Sequence, residues 1–142
     1  MKLPIVDFET AKELKKLGFN ELHNNCYRFD STEEIYVLVG ENGVSYFNNQ
    51  ADKDGYVADI TAPEQAFVVK WFRDVHDILV YADVFDKGFL EKNKFCYQWR
   101  IFPRTDDWFV SIEEYKTYEE AELEGIKEAI NYLKNERNKN NL

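Results

Sequence analysis

Two helix-start signals bracket three strand-like runs in the second half of the chain, and this order restricts the fold more than any other feature. Thr61-Ala62-Pro63-Glu64 offers a capping hydroxyl, a proline for the first turn and a glutamate three residues after the cap. Thr117-Tyr118-Glu119-Glu120 repeats the pattern. Behind the first signal, Phe67, Val68, Trp71, Phe72 and Val75 recur at steps of three and four, as on one face of a helix ending near His76-Asp77. Behind the second, Ala121, Ile126, Ala129, Ile130 and Leu133 do the same. Between the helices, residues 78–85, 95–102 and 108–112 are rich in β-branched and aromatic side chains. Loops this short favour antiparallel neighbours. The economical packing is an α+β fold, an antiparallel sheet with both helices on one face.

The first half predicts a helix and a β-hairpin. Asp7 is placed to cap a short helix whose apolar stripe is Phe8, Ala11, Leu14 and Leu17. Gly18 supplies the left-handed residue that ends it, and Phe19 folds back onto the last turn. A strand is expected near Cys26-Tyr27-Arg28-Phe29. Residues 35–39 and 44–47 read as hairpin strands around the turn signal Asn42-Gly43. Residues 48–55 read as polar loop. Neither a linker nor an internal repeat interrupts the chain, so residues 1–135 are expected to form one domain, with 136–142 a frayed polar tail.

Charge narrows the function classes. Lys and Arg number 18 against 27 Asp and Glu, a formal charge of -9 over 142 residues. From Glu21 to Ile60 two cations, Arg28 and Lys53, face eight anions. Phosphate backbones and anionic membranes repel such a surface, so nucleic acid is a disfavoured partner and no membrane association is expected. No run approaches the roughly 20 apolar residues of a membrane span, and the first residues do not read as a signal peptide. Two cysteines, Cys26 and Cys96, fit no metal or redox spacing and suit a reducing compartment. The expected location is cytoplasmic.

Alternation assigns sides to the sheet. Val80, Ala82 and Val84, with Phe95, Tyr97, Trp99 and Ile101, are expected under the helices. The opposite face then shows Tyr81, Asp83, Phe85, Cys96, Gln98, Arg100, Phe109 and Ser111. That set is too aromatic to stay bare, and the first half of the chain, a second copy of the chain or a ligand is expected to cover it. Tyr81, Asp83, Gln98, Arg100 and Phe109 are the candidate binding residues. Arg100 beside Asp83 is either a half-buried ion pair or a guanidinium that receives a carboxylate or a base.

Other candidates for chemistry lack their complements. Asp52-Lys53-Asp54-Gly55 is similar to the middle of a calcium-binding EF-hand loop, but the alignment puts Gln50 first and Thr61 last, where carboxylates are required. His23 and His76 have no evident nucleophile beside them, and Ser31, Ser45 and Ser111 lie in no nucleophile elbow. Neither a catalytic set, a metal site nor a cofactor is predicted.

Two resemblances follow from these residues. The helix–strand–strand–strand–helix order over residues 61–133 resembles the double-stranded-RNA-binding domain. In that family lysines open the second helix and grip phosphate; here the matching positions hold Glu119, Glu120, Glu122 and Glu124, so the resemblance implies a topology without its activity. Ala62-Pro63-Glu64-Gln65-Ala66, Lys70-Trp71-Phe72-Arg73-Asp74-Val75-His76, Tyr115-Lys116-Thr117-Tyr118-Glu119-Glu120-Ala121 and Gly125-Ile126-Lys127-Glu128-Ala129 resemble a family of small uncharacterised proteins of gut Bacteroidetes, their phages and mobile elements. That resemblance implies an accessory role and no particular chemistry. The expected function is a non-enzymatic interaction protein that uses an acidic surface or the aromatic sheet face. A nucleic-acid-binding module, and a small-molecule binder or small enzyme with a pocket on the open sheet face, are the alternatives.

Overall fold

The computed structural model describes residues 3–20, 25–30, 33–40, 59–84, 96–105 and 107–140. The chain divides into two compact units, Met1–Glu64 and Gln65–Leu142. Each holds a three-stranded antiparallel sheet and at least one helix, a mixed α+β architecture.

In the first unit, α1 (Phe8–Lys16) begins where Asp7 accepts a hydrogen bond from the Thr10 backbone N–H at 2.8 Å. Its end is set by Gly18, at φ +94°. The Phe19 N–H donates to Leu14 O at 3.0 Å and the Gly18 N–H to Lys15 O at 3.1 Å, the paired bonds of a Schellman cap. Ala11, Leu14, Leu17 and Phe19 are buried as the stripe predicts. The strands β1 (Asn25–Asp30), β2 (Ile35–Gly40) and β3 (Asp59–Thr61) pair in the order β2-β1-β3. Phe8 docks α1 onto this sheet, stacked on Tyr36 at 4.5 Å and edge-on to Tyr27 at 5.4 Å.

One expectation is overturned here, and another lies outside the described residues. The described partner of β2 is β1, joined through Asp30 opposite Ile35; the Asn42-Gly43 turn and its return strand lie outside the described residues. The polar loop at 48–55 and the EF-hand-like segment up to Ala58 also fall outside them, as does His23. Thr61 does not cap the next helix. It pairs with Cys26 as the last residue of β3, and the following Ala62 N–H donates to Asn25 O at 3.0 Å. A strand ladder thus claims the backbone that the capping pattern assigns to a helix start.

In the second unit the order is α2 (Gln65–His76), β4 (Ile78–Val84), β5 (Tyr97–Pro103), β6 (Phe109–Val110) and α3 (Tyr118–Asn140). The sheet runs β4-β5-β6, antiparallel throughout. The register sets Ile78 opposite Pro103, Val80 opposite Ile101 and Ala82 opposite Trp99. These residues form the helix-covered side. Gly125 of α3 sits so close that a Cβ there would lie 3.0 Å from Trp99 Cβ and 3.2 Å from Val80 Cγ1. α2 packs on β4 and along α3. Its buried stripe is narrower than the periodicity predicts: Val68, Trp71 and Phe72 are buried, while Phe67 and Val75 are 50% and 58% exposed. Thr117 caps α3 as expected, its Oγ1 accepting from the Glu120 N–H at 3.1 Å. The helix continues through Asn140, past the point at which the polar tail is expected to fray. Among the described residues no helix is long and apolar enough to cross a membrane.

Gln65, first residue of α2, joins the two helices. With its amide nitrogen turned toward them, it donates to Glu119 O at 3.2 Å and Glu122 Oε1 at 3.0 Å. Burial raises the Glu122 pKa from its ordinary value; the Tyr118 hydroxyl opposes the rise and Glu119 adds to it. A raised folded pKa stabilises the fold below the ordinary value of 4.5, and this contribution is lost as pH rises through the folded value. Burial, then Arg137, lowers the His76 pKa, with the opposite sign: its contribution is full above 6.5 and declines as pH falls toward the folded value. Glu122→Gln keeps an acceptor for both neighbours. It is expected to raise the melting temperature at about pH 8, with the gain vanishing toward about pH 4. Equal shifts at both pH values in thermal melts would contradict this assignment.

Candidate functional site

On the sheet side opposite α3, β4 contributes Leu79, Tyr81 and Asp83 and β5 contributes Gln98, Arg100 and Phe102. They face each other as Leu79–Phe102, Tyr81–Arg100 and Asp83–Gln98. Val110 of β6 stands opposite Arg100. Three rings run across the strands in one row. Tyr81 and Phe102 are parallel within 3° at 6.0 Å, and Phe102 and Trp108 within 19° at 6.3 Å. Both separations lie in the range where aromatic pairs attract. The row ends in the open, since Trp108 is 56% exposed, and Leu79 at its other margin is 43% exposed.

Beside the row, Arg100 Nε lies 3.4 Å from Asp83 Oδ2. This is an ion pair without a well-aligned hydrogen bond: Nε is buried and finds no acceptor among the described residues. Nε itself is shut off from solvent, while the Arg100 side chain as a whole keeps 28% exposure. At the rim, Arg104 pairs with Asp77 at 3.0 Å.

The structure brings together four of the five expected site residues, Tyr81, Asp83, Gln98 and Arg100, with Gln98 buried. Phe109 does not join them. It stands opposite Ile101, on the helix side, with its ring 6.0 Å from Tyr132 of α3. Ser111 follows the same phase and accepts from the Trp99 N–H at 3.1 Å. A shift of one residue turns every side chain of a strand over. Residues 108–112 are apolar at both parities, so only the turn after Pro103 decides between them. Phe102 and Trp108 are the site residues that the sequence reading overlooks. Phe102 shares the parity of Arg100, and that spacing was the available signal.

Among the described residues no group of three His, Cys, Asp or Glu side chains is placed to hold a metal ion. Cys26 is buried and Cys96 half-buried, and neither is in a disulfide. The open face supplies apolar ring area, one guanidinium donor and one carboxylate, a set suited to recognition. Set beside family models, curated proteins and solved structures, the chain matches none of them.

Proposed function

We propose that the chain is a non-enzymatic interaction module that binds a partner protein through the open sheet face of its Gln65–Leu142 unit. The observation that carries this reading is the ring row Tyr81–Phe102–Trp108, which leaves aromatic surface in solvent beside the partly exposed Arg100–Asp83 ion pair. Exposed aromatic patches rimmed by polar groups mark protein-binding surfaces, and Trp, Tyr and Arg dominate their energetics. Charge argues for protein over nucleic acid. The chain carries -9, and the start of α3 offers Glu119 and Glu120 where a phosphate-gripping helix would offer lysines. The partner surface is apolar at its centre and presents a hydrogen-bond acceptor to Arg100. An accessory role in a host cell, as the helix motifs imply, suits such a module.

The test uses Trp108→Ser with Leu79→Ser, two exposed positions whose replacement leaves the helix-side core intact. Light scattering and affinity capture from the host are run on both proteins. The expected result is a partner, or a second copy, held by the native chain and weakened at least about tenfold in the variant. Identical binding profiles, or a salt-dependent shift with RNA or DNA as the sole interaction, would overturn the reading.

A further inference from the structure

On the helix-covered side, the sheet's outer edge is interrupted by a bulge. Ser111 N–H donates to Trp99 O at 3.0 Å, and Tyr115 exchanges both backbone bonds with Tyr97 at 2.8 Å. Three residues, Ile112, Glu113 and Glu114, are thus looped out where β5 supplies only Gln98. The Ser111 hydroxyl closes the loop by donating to Glu113 O at 3.1 Å. Edge bulges of this kind re-aim side chains and often border sites. Here the bulge and α3 flank an open cavity of about 460 Å³, within the volume range of small-ligand pockets.

Its wall is chemically uneven. Trp99 and Tyr115 give aromatic surface, and Ile112 stands at the lip, 96% exposed. Glu113, Glu124 and Glu128 give three carboxylates, and no lining residue is a cation. Glu124 is paired with Lys127 at 3.0 Å; among the described residues Glu113 and Glu128 have no cationic partner. Burial raises the Tyr115 phenol pKa; Glu124 and Glu113 add to that shift, while the Trp99 indole N–H opposes it. A second, smaller hollow continues from Trp99 and Glu128 along α3 to Phe109 and Tyr132.

We propose that this bulge-walled cavity binds an organic cation, an ammonium or guanidinium group carried on an apolar stem. The stem lies against Ile112 and Trp99, as lysine and arginine stems lie on apolar surface. The charged head meets Glu113 and Glu128 beside an aromatic wall, where carboxylates and ring faces both attract a cation. The site is separate from the open sheet face and stands whether or not that face binds a protein.

The experiment is calorimetric titration of the full chain with two probes, spermidine and a lysine-containing peptide otherwise made of neutral residues. Three proteins are compared: the native chain, Glu113→Gln/Glu128→Gln, and Glu9→Gln/Glu33→Gln, which removes the same charge away from the cavity. At least one probe is expected to bind the native chain and the distant variant alike, and the cavity variant at least about tenfold more weakly. Spermidine alone would assign a free polyamine, and the peptide alone a partner's basic side chain. Absence of binding by both probes, or equal weakening in the two variants, would overturn the proposal.

Discussion

Phe72→Ala is expected to cost about 3–5 kcal/mol of folding free energy, the largest loss available from one truncation in the second unit. Phe72 is fully buried in α2, edge-on to Trp71 at 5.2 Å and 6.1 Å from the His76 ring. Removing the ring deletes apolar contact and leaves a hollow between a helix and a sheet that cannot both move inward. Phe72→Leu, which keeps most of the volume, is expected to lose less than half as much. Denaturant titrations of both variants check this. A loss below about 1 kcal/mol for the alanine variant would mean that α2 does not seal this core.

Gly125→Val is expected to be almost as damaging, at about 3 kcal/mol, although valine forms helix better than glycine by roughly half a kcal/mol. The reason is distance. Any Cβ at this position meets Trp99 Cβ at 3.0 Å and Val80 Cγ1 at 3.2 Å, and the first of these atoms is held by the strand backbone. α3 would have to lift from the sheet, exposing Ile126, Ala129 and Ile130 in turn. Gly125→Ala sets about 1 kcal/mol of helix propensity against the same contact and is expected to fall between the native chain and valine. A valine variant as stable as the native chain would show that α3 does not approach Val80 and Trp99 so closely.

Much of this arrangement was legible in the residues, for local reasons. The Asp7 cap, the Gly18-Phe19 ending and the Thr117 cap each depend on a few neighbouring positions, and each forms as its pattern predicts. The helix–strand order of the second unit and the side taken by Val80, Ala82 and Ile101 follow from periodicity. What escaped depends on distant partners. Thr61 has the chemistry of a cap, yet pairing with Cys26 holds it in a strand. Phe67 and Val75 have the right spacing for a core stripe, but no sequence pattern says how wide a helix face its neighbours cover. Phe109 was expected on the open face because its strand carries apolar residues at both phases; the turn, not the pattern, chose. The cavity beside α3 was invisible for a related reason, since a bulge is a count of residues between two strands.

The most direct measurement is a set of proton–proton nuclear Overhauser contacts from the aromatic side chains of the second unit. Cross-peaks between Trp108 and Phe102, between Phe109 and Tyr132, and between Gly125 and Trp99 are the predicted result. Contacts of Phe109 with Tyr81 or Phe102, together with Trp108 against Tyr132, would turn the outer strand over and remove the ring row from solvent.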